Sequence, residues 1–264
     1  MQHKALKPCT IPLCTEESCG SLKTQEGPAQ TGSSSMRIIF IRHGEPDYAN
    51  DCLTATGRKQ AEALSRRLVR ENITELYSSP LGRAAETAAF TAKLLGLTVR
   101  TLDFMQEISW GGEGIPVDGH PWTLAERMVD DEHFDFYGAD WRSHPYFAKN
   151  SVLGHYTDIA ARFDELMEPH GYRHEANRFF CTETQERTIA VFSHGGSGAC
   201  ALSHLLSLPL PYVLTVFPYD YTSVIILNFP VKNGSFVHPR VELFNDAAHI
   251  SGLSAGIQFQ QAPD

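Results

Sequence analysis

Two hydrophobic periodicities alternate along the chain. Ile38-Ile39-Phe40-Ile41 is an unbroken apolar run that stops in Arg42-His43-Gly44-Glu45, with turn chemistry at Gly44 and Pro46. Such a run predicts a short strand buried on both faces, as inside a parallel sheet. Three similar runs follow: Ile73 to Tyr77 leading into Ser78-Ser79-Pro80, Leu97 to Leu102, and Thr188 to Phe192 closing in Ser193-His194-Gly195-Gly196. Between them the period changes. Ala61, Leu64 and Leu68 recur at helical spacing from Thr54 onward, with Arg58, Lys59, Glu62, Arg66 and Arg67 on a solvated face. Pro80 to Leu95 reads as a helix rich in small residues, with Ser79 as its cap, Pro80 at its first position and Gly96 as its stop. A further helix is expected from Gly198 to Leu208, ended by Pro209 and Pro211. Strands at Ser223 to Phe229 and Val237 to Phe244 complete the sheet near its edge. Strand, helix, strand, helix, strand predicts an α/β protein, three layers α/β/α around a mostly parallel central sheet.

From Asp103 to Asn150 the pattern breaks. This stretch carries glycines at 111, 112, 114 and 119, and a dense aromatic set that includes Trp110, Trp122, Phe134, Phe136, Tyr137, Trp141, Tyr146 and Phe147. It reads as an insertion over the carboxyl edge of the sheet, a cap spanning about 103–180, with most aromatics packing it onto the body and a few lining the entrance. Ten acidic residues there face only Arg127, Arg142 and Lys149. Ile159 to Phe180 reads as largely helical, which spaces His170 and His174 at i, i+4. That pair could hold a metal, but without a supporting carboxylate–histidine motif a surface role is favoured and no metal is assigned. His204 and His249 are read as structural.

Composition narrows the class. The 264 residues, 42% of them hydrophobic, suffice for one large α/β domain with a cap. The formal net charge of −9 argues against nucleic acid or anionic membrane as partner, so any phosphate site must be a local positive pocket. Residues 1–35 have little apolar periodicity and read as a flexible tail ahead of a domain at 36–264. No signal-peptide core or spanning run is evident, and a cytoplasmic location is expected. Cys9, Cys14 and Cys19 in the tail, with Cys52, Cys181 and Cys200 scattered, read as free thiols, a zinc site in the tail being the lesser alternative.

The candidate chemistry lies where strands end. In parallel sheets ligands bind at the carboxyl ends of strands. Arg42, His43 and His194 occupy such ends, and Arg83 falls in the first turn of a helix whose free amides favour an anion. Two arginines and two histidines converging there describe a phosphate site.

Taken together, Arg42-His43-Gly44-Glu45, Leu53-Thr54 with Gly57-Arg58 and Gln60-Ala61, Ser78-Ser79-Pro80 through Arg83 with Glu86-Thr87-Ala88, Glu107 ahead of Gly111, and Ser193-His194-Gly195 resemble the histidine phosphatase superfamily in its phosphoglycerate-mutase-like branch. The resemblance spans roughly Met36 to Asn245. It implies His43 as nucleophile, with its other ring nitrogen donating to a backbone carbonyl. It implies Arg42, Arg83 and His194 as phosphate clamp, helped by the Gly195 amide, and Glu107 as proton donor to the leaving oxygen and then base for water. Glu113 is the rival acid, though a surface carboxylate is the stronger reading of it. Trp110 and bound phosphate would keep Glu107 protonated, and Glu45 would hold the loop or an arginine. Arginines stand in for cations, so no cofactor is implied. The family's loop asparagine has no match at Ala49, and Asn50 lies one position late, leaving its phosphate contact in doubt. With an acidic cap, a hydrolase of a small phosphomonoester with one phosphate is preferred. A mutase-type phosphotransferase and a non-catalytic phosphate-binding protein remain the alternatives.

Overall fold

A computed structural model describes residues 35–182 and 186–253. The tail assigned to residues 1–35, except Ser35, lies outside the described residues. In chain order the elements are β1 (Ser35–Arg42), β2 (Pro46–Asp47), β3 (Cys52–Leu53), α1 (Ala55–Leu68), β4 (Glu75–Ser78), α2 (Gly82–Leu95), β5 (Val99–Thr101), α3 (Pro121–Glu126) and α4 (Ser151–Met167). There follow β6 (Tyr172–Glu175), β7 (Arg178–Cys181), β8 (Arg187–Ser193), α5 (Gly195–Leu206), α6 (Leu210–Val216), β9 (Val224–Pro230), β10 (Ser235–Val237) and β11 (Arg240–Asp246).

Six strands form the central sheet in the order β11-β9-β1-β8-β4-β5. β1, β8, β4 and β5 run parallel, and β9 is antiparallel to both its neighbours. Alternate side chains of β1 feed opposite layers, as the two-residue strand period requires. Ile38 and Phe40 pack with Phe163 of α4 and Leu202 and Leu205 of α5. Ile39 and Ile41 pack with Leu64 and Leu68 of α1 and Ala88 of α2. Each such side chain contributes about 1.5–3 kcal/mol on burial. This is the three-layer α/β/α architecture with a mostly parallel sheet that the periodicity predicts.

Local chemistry sets most boundaries. Thr54 caps α1 by accepting the Gly57 amide at 3.0 Å. Gly57 must be glycine, since a Cβ there would lie 2.2 Å from the Glu45 carbonyl oxygen. α2 ends on Gly96, left-handed at φ 68°. Its start differs from the expectation of a Ser79 cap with Pro80 first. Leu81 is extended, the helix begins at Gly82, and the Gly82 amide is taken at 2.6 Å by Asp51, a residue far upstream in sequence.

Two other expectations are corrected. The helix expected over 159–180 ends at Met167, because Pro169 and a left-handed Gly171 break it. Residues 172–181 then form the β6–β7 hairpin, in which Tyr172, Phe179 and Cys181 are buried, so His170 and His174 do not share a helix. Pro209 and Pro211 do not merely end a helix. Left-handed Ser207 ends α5, and the prolines open the unforeseen α6 from its cap and first turn.

In the stretch from Asp103 to Asn150, Trp141 and Phe147 are buried in the core and Trp122, Phe134, Phe136 and Tyr146 pack against it, while Tyr137 stands in solvent. No helix among the described residues is long and apolar enough to cross a membrane.

Candidate active site

Strand register builds the site. Arg42 stands opposite Ser193 across the parallel β1–β8 pair, and Ser78 opposite Phe192 across β4–β8. The next residues therefore meet at one edge: the His43 amide donates to the Ser193 carbonyl at 3.0 Å, and the Ser79 amide to that of Phe192 at 2.9 Å. His43 and His194 bring their rings to 5.1 Å between centroids.

His43 is buried, with Nδ1 2.7 Å from the Gly44 carbonyl oxygen. A carbonyl can only accept, so Nδ1 carries the proton and Nε2 keeps its lone pair. Nε2 faces the Nε of Arg83 at 3.4 Å. Burial, then Arg42, with Arg83 adding, push the His43 pKa down to about 3, so the ring is neutral at ordinary pH. His194 is pushed down to about 2 by burial and by His43, Arg83 and Arg42. The Nε2 of His194 lies 2.8 Å from the Ser79 hydroxyl, which also accepts the Leu81 amide. With Ser79 donating to Nε2, Nδ1 of His194 carries the proton, and among the described residues that buried atom has no partner.

Arg42 donates from Nη1 to the Tyr219 carbonyl at 2.7 Å and lies 4.3 Å over the Tyr221 ring, leaving its buried Nε without a partner among the described residues. Arg83 is held by Asp51, Nη1 to Oδ1 at 2.6 Å, and lies beneath the exposed ring of Tyr48. Two buried guanidiniums, two neutral imidazoles and two orphaned polar atoms gathered at the strand ends and the start of α2 are suited to a tetrahedral dianion.

Glu107 follows β5 and enters from the side. Its Oε1 accepts the amides of Ile108 at 3.0 Å, Gly196 at 3.0 Å and Ser197 at 3.2 Å, so it sits on the N-terminus of α5. A Cβ at position 196 would lie 2.7 Å from that oxygen and 2.4 Å from Ile108, which explains glycine there. Burial raises the Glu107 pKa against the pull of these amides and of Arg42 and Arg83. The Trp110 ring meets His120 and Trp122 edge-on and is 41% exposed. Glu113 is exposed.

The structure thus brings together His43, His194, Arg42 and Arg83, with Glu107 on the adjoining helix terminus. Asn50 is not among them, its side-chain amide donating to Asp47 at 2.8 Å in an exposed turn. Glu45 accepts the Thr54 hydroxyl at 2.6 Å and braces the loop. Asp51, Tyr48 and Tyr221 escape a reading of sequence, because only the folded loops carry them to the arginines. Away from this site, one group of described residues has donors placed for a metal ion: Asp164, His174 and His204.

Two buried histidines and two arginines at the carboxyl edge of a parallel sheet place the protein among α/β proteins with a site at their strand ends. The chain belongs to the histidine phosphatase superfamily (branch 1), whose family profile matches residues 38–241. A probable phosphoglycerate mutase of Yersinia pestis (strain Pestoides F) is 29% identical over 187 residues, 66% of this chain and 76% of that protein. Among solved structures, the fold is shared with phosphoserine phosphatase from Entamoeba histolytica in complex with 3-phosphoglyceric acid (TM-score 0.54, 23% identity, 81% of this chain and 99% of that one). It is shared also with mycobacterial glucosyl-3-phosphoglycerate phosphatase (TM-score 0.54, 22% identity, 80% and 98%).

Proposed function

We propose that this protein hydrolyses a small phosphomonoester through a phosphohistidine on His43. What supports this is the convergence of a neutral, tautomerically fixed His43 with Arg42, Arg83 and His194 around unpaired polar atoms. Nε2 of His43 attacks phosphorus in line with the ester oxygen. The P–N bond forms as the P–O bond breaks, and the leaving alkoxide takes its proton from Glu107. The ionised Glu107 then accepts a proton from water as that water attacks the phosphohistidine, returning His43 and releasing inorganic phosphate. Arg42, Arg83 and His194 Nδ1–H hold the equatorial oxygens throughout, where charge accumulates.

Kinship with a probable phosphoglycerate mutase keeps phosphotransfer as the second reading. Against it stands a cavity of about 300 Å³ that shares Gly195 and Tyr219 with the site's own elements. Trp122, Glu126, Leu202 and Asp220 are among its lining residues, and none of those is Lys or Arg. A second phosphate would find no cation among those lining residues and would face the carboxylates of Glu126 and Asp220.

The test is hydrolysis of an aryl phosphate in the presence of a chelator, comparing wild type with His43→Ala, and with 3-phosphoglycerate tried as phosphoryl acceptor. Turnover to inorganic phosphate that His43→Ala abolishes is expected. Phosphate passing only to the second substrate would favour the mutase reading, and a bound phosphate that never turns over would leave a binding protein.

A further inference from the structure

The two histidines that the sequence spaces at i, i+4 part company in the fold. His170 turns to Glu75, its Nε2 3.3 Å from Oε1. His174, on β6, instead joins a group that the phosphate site does not use. Its Nδ1 lies 3.2 Å from Oδ1 of Asp164 on α4, and His204, in the last turn of α5, sets its Nε2 2.7 Å from that same oxygen. The two imidazoles meet edge to face at 4.5 Å, and His174 is clamped flat on Phe179, 4.5 Å away at 13°. We propose that Asp164, His174 and His204 form a binding site for a divalent transition-metal ion, zinc foremost, separate from the phosphate site.

The donor set decides the chemistry. Two imidazole nitrogens and one carboxylate oxygen are ligands that zinc takes, and a water completes four-coordination. The three candidate ligand atoms lie within 4.8 Å of one another. Bonds of about 2.0–2.1 Å in a tetrahedron put ligand atoms about 3.3 Å apart, so sub-ångström side-chain shifts admit the ion. The three residues come from three elements, α4, β6 and α5, fixed by packing before any ion arrives. Exposure is divided usefully: the histidine side chains are 10% and 11% exposed, holding the ligands out of competing water, while Asp164 at 39% gives an ion its way in. His204 is ten residues along α5 from His194, about 15 Å by helical rise, so metal here does not occupy the phosphate clamp. It would staple α4, the β6–β7 hairpin and the C-terminal end of the helix whose N-terminus holds Glu107. Nothing in this site depends on the chemistry proposed at His43.

The experiment uses the full chain, stripped of metal and free of any polyhistidine tag, with Zn²⁺ titrated against a chromogenic chelator and Co²⁺ as spectroscopic probe. One equivalent of Zn²⁺ bound in the micromolar range or tighter is expected. Asp164→Asn and His204→Gln should each weaken it at least about tenfold. His43→Ala and the combined Cys9→Ser, Cys14→Ser and Cys19→Ser chain should bind as wild type. Co²⁺ should give visible d–d bands without thiolate charge transfer. Binding that survives both cluster substitutions, that disappears with His43 or with the tail cysteines, or that is absent at stoichiometric Zn²⁺ overturns the proposal. Should a cluster variant fail to fold by circular dichroism, the wild-type Co²⁺ spectrum with the His43→Ala and tail-variant titrations decides: a thiolate-free site indifferent to both supports it, and any other result overturns it.

Discussion

Asp51 holds Arg83 and the helix behind it with one carboxylate. Oδ1 takes Nη1 of Arg83 at 2.6 Å while Oδ2 takes the Gly82 amide at 2.6 Å. Burial would raise the Asp51 pKa, but the Gly82 amide and Arg83 together hold it below the usual carboxylate range. A loop residue thus caps α2 and at the same time fixes the Arg83 guanidinium, one of the two arginines of the proposed clamp. Asp51→Ala should destabilise by about 1 kcal/mol, the value of a lost cap, and raise KM about tenfold, as expected when one hydrogen bond orienting a charge is lost. Asp51→Asn, able to accept the amide still, should recover most of the stability. Denaturant melts and steady-state kinetics check both.

Glu107→Gln separates proton donation from architecture. The glutamine carbonyl can accept the same three amides of Ile108, Gly196 and Ser197, so the fold should hold, while kcat should drop by about 10²–10⁴ for an ester with a poor leaving group. With an aryl ester, whose leaving group needs little protonation, phosphorylation of His43 should be nearly spared and the loss should fall on the step in which water attacks the phosphohistidine.

The pH profile follows from the same two groups. His43 must be neutral, and with its pKa pushed down to about 3 it stays so across the acid range. Glu107 must be protonated, and its pKa is raised by burial. Activity should therefore persist well into acid and fall as pH rises through the Glu107 pKa. The alkaline limb should vanish in Glu107→Gln.

The parts of the fold legible in sequence were those written in uninterrupted runs. Ile38 to Ile41 and Thr188 to Phe192 became neighbouring parallel strands, and Gly96 ended α2 as a left-handed stop. Residues 172–181 were misread because the helical spacing of Ile159, Phe163 and Met167 runs straight up to them, and the i, i+2 pairs Tyr172 with His174 and Phe179 with Cys181 are short signals beside it; Pro169 and Gly171 marked the break. In the site, His43, His194, Arg42 and Arg83 were foreseeable since each sits beside a strand end or a turn signal. Asp51, Tyr48 and Tyr221 were not, because what makes them part of the site is loop folding across distant sequence. The Asp164, His174 and His204 group was hidden for the same reason: three elements converge where no local spacing announces it.

Ser79 tests the tautomer of His194. Removing its hydroxyl in Ser79→Ala frees Nε2 to take the proton and leaves Nδ1 a bare lone pair, unable to donate to the phosphate of the proposed mechanism. A loss of about tenfold in kcat/KM is expected, one net hydrogen bond's worth, and Ser79→Thr should retain more if its methyl group is accommodated.

Buried neutral histidines also make stability depend on pH. The folded pKa of His43 is lowered from 6.5 to about 3, so between those values the unfolded chain binds more protons than the folded one. Stability contributed at neutral pH is lost as pH falls below 6.5, at up to about 1.4 kcal/mol per pH unit for one such group. His43→Asn should flatten the slope of unfolding free energy against pH in that window. An unchanged slope would mean that the ring titrates normally in the folded protein.

The most direct measurement is rapid-quench trapping of the enzyme during turnover of a ³²P-labelled phosphomonoester, followed by peptide mapping under alkaline conditions. A label that is acid-labile, base-stable and confined to the peptide bearing His43, and that accumulates further in Glu107→Gln with an aryl ester as breakdown by water slows, is the expected result. Turnover that proceeds with no labelled protein, or a label placed on any residue other than His43, would contradict a phosphohistidine mechanism.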